Sequence, residues 1–136
     1  MRKILAIVRI VSSAAVILTI GALHYLEGRS AVRLQKAQNL LEKDIESHLR
    51  PGSPLASVEE FLNQRLMRHT DLEHVGDAQA VYYGSENILE ARSADTDTGF
   101  YLKGCSFWVV FRFDKNGALQ GFTAKPSCKA IWWENL

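Results

Sequence analysis

The chain has 136 residues, enough for one globular domain with accessory segments. Its formal net charge is +1, but without the first 26 residues 13 Lys and Arg residues stand against 15 Asp and Glu residues. A nucleic-acid-binding domain needs surplus positive charge to displace counterions from phosphates, so this balance argues against a nucleic-acid partner.

The chain begins with a long apolar run. From Ile4 to Leu23 it extends for 20 residues, with Arg9 as its only charge. About 20 apolar residues cross a bilayer as a helix, and Arg9 lies near one end, where its side chain can reach the headgroups. Tyr25 stands where an interfacial aromatic residue is expected. The run predicts an uncleaved transmembrane anchor over residues 1–27.

A cleaved signal peptide is the alternative for this segment, although "TIGALH" offers only Thr19 and Gly21 as a small-x-small site. Positive charge at Arg2 and Lys3 favours a cytoplasmic N-terminus. We therefore expect a single-pass protein of the inner (cytoplasmic) membrane. Its domain, residues 51–136, is predicted to lie in the periplasm or an equivalent extracytoplasmic space.

An amphipathic helix is predicted over residues 28–50, where apolar side chains recur at three- and four-residue steps. Ser30 can cap its start, or the helix can run on unbroken from the anchor. The apolar stripe packs either on the protein's own domain or, as a stalk, on a partner. It consists of Ala31, Leu34, Ala37, Leu41, Ile45 and Leu49.

A second helix is predicted within "GSPLASVEEFLNQRLMRH". Ser53 with Pro54 marks its N-terminus, and Ser57 with Glu60 has the spacing of a capping box. The next segment, "HTDLEHVGD", breaks the helical period and is predicted to be a loop.

From Ala78 the apolar period changes to two, which predicts four strands: "AQAVYY", "NILEARSA", "KGCSFWVVFRF" and "ALQGFTAK". The connections between them are short, and short connections join antiparallel neighbours. We therefore predict an α+β fold, in which a helix packs on a four-stranded antiparallel β-meander behind the transmembrane and amphipathic helices.

The turn "DKNG" sets how the last two strands pair. In one register Asp114 pairs with Ala118 and Cys105 faces Ser127. In the other, a two-residue turn at the Asn-Gly pair brings Cys105 opposite Cys128. Either register leaves the two sulfurs within one residue of direct opposition.

A disulfide between Cys105 and Cys128 is therefore predicted, within the usual reach of about 4.4–6.8 Å between Cα atoms. Pro126, near the end of the last strand, can absorb the one-residue difference between the registers. The bridge agrees with an oxidising compartment outside the cytosol.

The sequence contains no recognisable catalytic or metal-binding motif. His69 and His74 are spaced for neither a helix face nor a zinc pattern. "DTDTG" resembles the start of a calcium loop, but Gly99 replaces an oxygen ligand and no Glu stands at the twelfth place. Both cysteines are assigned to the bridge, and there is no nucleophile elbow, P-loop or dinucleotide fingerprint. We expect no enzymatic activity and no metal or cofactor.

Aromatic residues are abundant in the region of the predicted sheet. Exposed on a sheet face, they would mark a contact with another protein. The alternative is that the "IWW" segment folds back to cover the sheet. The candidate interaction residues are Tyr82, Tyr83, Trp108, Phe122, Trp132 and Trp133.

Residues 50–125 resemble small envelope domains of the SmpA/OmlA and BLIP-like type. The resemblance is carried by a Gly-Ser-x-x-x-x-Val helix start and a strand ending in Phe-Asp-x-x-Gly-x-Leu. It implies a non-catalytic domain that binds proteins, assists outer-membrane assembly or inhibits a partner enzyme. This chain lacks the lipoprotein cysteine of that family. The matching positions are Gly52, Ser53, Val58, Leu62, Phe113, Asp114, Gly117 and Leu119.

The order of an apolar helix, an amphipathic helix, a meander and a late disulfide also resembles a type IV pilin or pseudopilin. "MRKILAIV" departs from that family, because it has neither the Gly-Phe cleavage site nor the Glu just inside the run. The sequence thus favours a membrane-anchored interaction module, a subunit of an envelope assembly or secretion complex. A small inhibitor or immunity-type protein is the alternative, and a pilin-like subunit is the second alternative.

Overall fold

The computed structural model describes the backbone of residues 2–95 and 104–128, and side chains from residue 16 onward within those ranges, except at residue 27. The described part is an α+β structure, as predicted, but its sheet has five strands instead of the four of the predicted meander. In chain order its elements are α1 (Arg2–His48), α2 (Leu55–Gln64), β1 (Arg68–His69), β2 (Glu73–His74), α3 (Asp77–Tyr83), β3 (Asn87–Arg92), β4 (Cys105–Phe113) and β5 (Leu119–Cys128).

The strands form one antiparallel sheet. Strands β3, β4 and β5 follow each other as the predicted meander, with β5 at one edge. The short strands β1 and β2 both pair with β3 and together form the opposite edge. Two short pieces of the predicted "HTDLEHVGD" loop therefore supply an edge of the sheet, at His69 and at Glu73–His74, and its prediction as a loop is wrong there.

The prediction of "AQAVYY" as a strand is also wrong, because these residues lie in helix α3. The helix ends at Gly84, which adopts a left-handed conformation (φ 73°) and donates its N–H to the carbonyl of Ala80. Ala80 and Tyr83, three residues apart, both pack on the sheet. The β-branched and aromatic residues favoured a strand locally, but this packing is available only to a helix.

The amphipathic helix runs on unbroken from the N-terminal segment, which is one of the two predicted alternatives, and α2 begins directly after the predicted Ser53-Pro54 signal. Helix α1 is continuous for 47 residues, and the hydroxyl of Ser30 donates to the carbonyl of Leu26 inside it. Helix α2 starts after Pro54 with no side-chain cap, so the capping box at Ser57 and Glu60 is not formed. A proline with fixed φ supplies the required turn into the helix without a side-chain hydrogen bond.

The C-terminal half of α1 and helix α2 cover one face of the sheet. The predicted apolar stripe of α1 therefore packs on the protein's own domain. Fully buried Leu62 of α2 and Phe111 of β4 lie in the core between the helices and the sheet. Of the predicted stripe, Ala31 is exposed, and the side chains that are buried or half-buried in this core are Leu34, Ala37, Leu41, Ile45 and, directly after α1, Leu49.

The β4–β5 hairpin combines the two predicted registers. At the turn, Asp114 pairs with Ala118 and Phe113 faces Leu119. One extra residue of β5, Gln120, then bulges out, so Arg112 faces Gly121 and the register is shifted for the rest of the hairpin. The one-residue difference is absorbed here, next to the turn, and the prediction that Pro126 absorbs it is wrong.

Because of this bulge, Cys105 pairs directly with Cys128, and the two residues form a disulfide with their Cα atoms 4.0 Å apart. The predicted bridge is thus confirmed. It joins the ends of β4 and β5 that lie away from the hairpin turn.

Most of the predicted anchor lies in residues 1–15, whose side chains are outside the described part of the chain. Within the part that is described, no helical stretch has both the length and the apolar character needed to cross a membrane.

Candidate functional site

The face of the sheet opposite α1 and α2 is only partly covered. The short helix α3 packs there through Ala80 and Tyr83, on a small core of Val75, Ile88 and Val110. Beside this contact is a cavity of about 110 Å³, which we call the aromatic cleft. It is lined by Tyr82, Tyr83, Trp108, Val110, Arg112, Thr123 and Lys125.

Three aromatic rings form one side of the aromatic cleft. The rings of Tyr82 and Tyr83 have centroids 5.0 Å apart at 81°, and those of Tyr83 and Trp108 are 6.3 Å apart at 70°. Both pairs are edge-to-face, an arrangement that aromatic quadrupoles favour. Tyr82 is 68% exposed, so the outermost ring of this series faces solvent.

The inner tyrosine is held in place by a carboxylate. The hydroxyl of Tyr83 donates to Oε1 of Glu90, 3.1 Å away, on strand β3. Burial, reinforced by this hydrogen bond, raises the pKa of Tyr83 above its ordinary value, so its phenol stays neutral at physiological pH. The side chain of Tyr83 is therefore held in one position in the cleft, while the ring of Tyr82 is exposed to solvent.

Two basic side chains form the other side. The Nζ atom of Lys125 lies 5.8 Å from the ring centroid of Tyr82, in the range of a cation–π contact. Arg112 donates from Nη1 to Oγ1 of Thr123 at 3.1 Å and from Nη2 to the carbonyl of Phe122 at 3.4 Å. Both acceptors of the Arg112 guanidinium are neutral.

Neither basic residue has a carboxylate partner among the side chains that the structure describes. In that part of the chain, ion pairs within 4.0 Å involve only Asp44, which contacts Arg65 and His48 on the far side of the sheet. Arg112 is nevertheless half-buried. A half-buried cation with neutral partners favours the approach of an anion.

Strand alternation and the bulge together bring the cleft residues to one face. Trp108 and Arg112 lie on alternate positions of β4, opposite Lys125 and Gly121 of β5. A Cβ at Gly121 would lie 3.3 Å from Nη2 of Arg112. Because glycine has no side chain, the guanidinium can pack closely over β5 at this position.

The structure brings three of the six candidate interaction residues together: Tyr82, Tyr83 and Trp108. Phe122 lies on the helix-covered face, 6.1 Å from the ring of Phe111, where it is half-buried. It lines an adjoining groove of about 580 Å³ between the end of α1 and β5, which shares Arg112 and Thr123 with the aromatic cleft. The other two candidates, at positions 132 and 133, lie outside the described residues.

Sequence reasoning missed the basic side of the cleft. Arg112 alternates with Trp108 and Val110 along β4, and this pattern was visible in the sequence. Lys125 and Thr123 were not identifiable in the same way, because the bulge reverses the alternation of β5 after Leu119.

The histidines of the "HTDLEH" segment are engaged locally. Nδ1 of His69 is 3.0 Å from the carbonyl oxygen of Thr70, and Nδ1 of His74 is 3.0 Å from Oδ1 of Asn87. Within the described residues, no three His, Cys, Asp or Glu side chains are grouped closely enough to hold a metal ion.

The chain was also compared with known proteins. No protein-family model, curated protein or solved structure matches it, so its fold and the aromatic cleft are the observations on which a function can be argued.

Proposed function

We propose that this chain is a membrane-tethered, extracytoplasmic interaction module, and that its aromatic cleft binds a segment of a protein partner in an envelope assembly or secretion complex. One observation carries the proposal: the exposed ring of Tyr82 and the half-buried guanidinium of Arg112 flank one small cavity. Aromatic residues and arginine are the side chains most enriched where proteins bind each other.

The tether is supported by the N-terminal half of α1. Its exposed apolar side chains include Ile17 (70%) and Leu18 (73%), and the apolar run of the sequence extends from there back to Ile4. In water such a surface is unfavourable, whereas in a bilayer it is not. The first 26 residues of a helix measure about 39 Å, enough to cross the hydrocarbon core and reach the headgroups.

The extracytoplasmic location is supported by the disulfide. Glutathione and thioredoxin keep most cytosolic thiols reduced, so a structural bridge such as Cys105–Cys128 favours an oxidising compartment.

Topology can be tested with C-terminal reporter fusions to the full chain. We expect an alkaline phosphatase fusion to be active and a green fluorescent protein fusion exported through the same route to be dark. When intact cells are treated with a thiol-alkylating reagent before any reduction, neither cysteine should be labelled, because both are in the disulfide. A bright cytoplasmic fluorescent fusion, or two free thiols in native protein, would contradict the proposed location.

The aromatic cleft can be tested by photocrosslinking in cells. With p-benzoylphenylalanine at Tyr82 we expect crosslinked protein adducts that Trp108→Ala removes. The same label at Leu66, which is 87% exposed but lies outside the cleft, is the matched control. Equal adducts at both sites, or none at Tyr82, would count against the cleft as an interaction surface. An adduct with one hydrolase whose activity the chain blocks would favour the inhibitor alternative.

The unbroken helix α1 supports a second candidate function, a pilin-like subunit. In such a subunit, the exposed apolar half of α1 would pack against the same segment of neighbouring copies, and its C-terminal half would hold the sheet. A chain that carries both Ile17→Cys and Leu18→Cys would then form ladders of oligomers in oxidised membranes, because each copy could bridge to two neighbours. Monomers and dimers alone would favour the anchored module.

A further inference from the structure

We infer that the aromatic cleft recognises a carboxylate next to an apolar side chain, that is, a partner segment with Asp or Glu beside an aliphatic or aromatic residue. This inference rests on the proposed function and names the chemistry of the partner. It follows from the charges, the hydrogen bonds and the size of the cleft.

The charges at the cleft favour an anion. Arg112 and Lys125 line it, and no Asp or Glu is among its lining residues. The nearest carboxylate that bonds to a lining residue is Glu90, and its Oε1 atom already accepts the hydroxyl of Tyr83. Glu42 and Glu46 line the adjoining groove that Arg112 shares, but neither forms an ion pair with it. An arriving carboxylate therefore meets two cations that have no carboxylate partner among the described residues.

The guanidinium has donors left for a carboxylate. Within the described residues Arg112 uses one N–H on Thr123 and one on the carbonyl of Phe122. These two neutral contacts hold the planar group in place but do not neutralise it. An arginine whose orientation is already fixed loses less entropy when a carboxylate binds, and its fork geometry suits the two carboxylate oxygens.

The size of the cleft limits what can enter. Cofactor and drug-sized sites are usually about 300–1,000 Å³. The aromatic cleft has about 110 Å³, and Tyr82, Trp108 and Val110 form its apolar wall. This space suits one apolar side chain of a peptide, with a neighbouring acidic side chain reaching Arg112. A nucleic acid is disfavoured because the extracytoplasmic part of the chain has more acids than bases.

The experiment uses the full chain, ¹⁵N-labelled, in detergent micelles with its disulfide intact. The probes are two blocked peptides, acetyl-Ala-Leu-Glu-Ala-amide and its neutral isostere acetyl-Ala-Leu-Gln-Ala-amide. The readout is the indole N–H resonance of Trp108, assigned by loss of one signal in Trp108→Phe. We expect the Glu peptide to saturate this shift at about tenfold lower concentration than the Gln peptide, since charge-assisted hydrogen bonds are the stronger ones.

Three variants test the assignment of the carboxylate to Arg112. Arg112→Gln should remove the difference between the two peptides, and Lys125→Gln should reduce it. Lys115→Gln, which removes an exposed charge at the hairpin turn, outside the cleft, should leave the difference unchanged. In case Arg112→Gln does not fold, the wild-type chain gives a second measurement. Binding of the Glu peptide should weaken as salt rises from 50 to 300 mM, while binding of the Gln peptide should not.

Equal affinities for the two peptides, or no shift of Trp108 with either, would overturn this inference. So would saturation by inorganic phosphate at the concentration of the Glu peptide, because the site would then be a general anion site. Failure here is distinct from failure of the proposed function, which is decided by the adducts at Tyr82 in cells.

Discussion

The two faces of the sheet differ in burial and in charge, although the same strands build both. On the helix-covered face, Leu89, Val109 and Phe111 are fully buried under α1 and α2. On the open face, Trp108 and Arg112 stay half-exposed beside the short helix α3. Strand β4 thus contributes to stability with one set of alternate residues and to the candidate site with the other. Substitutions on the two faces should therefore separate folding from binding.

The largest effect on stability is expected from Phe111→Ala, which is compared with Trp108→Ala as a separate single variant. Phe111 is 0% exposed, so its truncation should lower the free energy of unfolding by about 3–5 kcal/mol. Trp108 is half-buried on the open face, and its truncation should cost about 1–2 kcal/mol. Urea unfolding followed by far-UV circular dichroism measures both. If Trp108→Ala costs as much as Phe111→Ala, the open face is a second core rather than a binding surface.

The next largest effect is expected from the double substitution Cys105→Ala and Cys128→Ala. The bridge closes a loop of 23 residues, for which the chain-entropy model gives about 3 kcal/mol of stabilisation. Because the cleft side chains are not part of the bridge, the folded double variant should still bind the Glu peptide. Loss of peptide binding in a fully folded double variant would show that the two faces are not independent.

A gain in stability is expected from Leu66→Gly at the end of α2. Leu66 has a φ of 53° and is 87% exposed, so it adopts a left-handed conformation that leucine disfavours and loses no packing when replaced. We expect about 0.5–1 kcal/mol of stabilisation after the flexibility of glycine in the unfolded chain is counted. Ala56→Gly, exposed within the same helix, is the control and should destabilise by a similar amount. A destabilised Leu66→Gly would mean that the leucine contacts something else.

The smallest effect is expected from Asp44→Asn, which removes an ion pair between the two helices of the covered face. Nε and Nη2 of Arg65 lie 2.7 and 2.8 Å from the carboxylate of Asp44. This hydrogen bonding lowers the pKa of Asp44, so its stabilisation is present above the unfolded pKa and is lost as pH falls through the lower folded value.

Because the pair is partly exposed, Asp44→Asn should lower the Tm by only a few degrees at pH 7. The difference in Tm from the unsubstituted chain should shrink as the pH falls below about 4. If the difference in Tm grew as the pH fell, the stabilisation would come from a titratable group other than Asp44. Thermal scans from pH 2.5 to 7 check this.

Most of the helix-covered face was predictable from the sequence, because its signals are local and repetitive. The three- and four-residue steps of α1 and the alternation of β4 each identify the buried side correctly. The disulfide followed from turn chemistry, since two plausible registers differed by a single residue. What α1 packs against was not predictable from α1 alone, since an amphipathic stripe is the same for a stalk and for a core helix.

The open face was predictable only in part, for two physical reasons. Helix α3 is short, and its Val-Tyr-Tyr sequence has strand propensity that tertiary packing overrides. The bulge at Gln120 then exchanges the faces of all later residues of β5, placing Phe122 toward the helices and Lys125 toward the cleft. One inserted residue is invisible to pattern analysis, because it changes no residue type and no length of turn.

That inserted residue determines both the cysteine pairing and the side chains that line the cleft. Without it, the turn hydrogen bonds at Asp114 would leave Cys105 opposite Ser127, and Thr123 would lie on the side of the helices. The bulge therefore sets two features at once: it places Cys105 directly opposite Cys128, and it turns Thr123 and Lys125 toward the aromatic cleft.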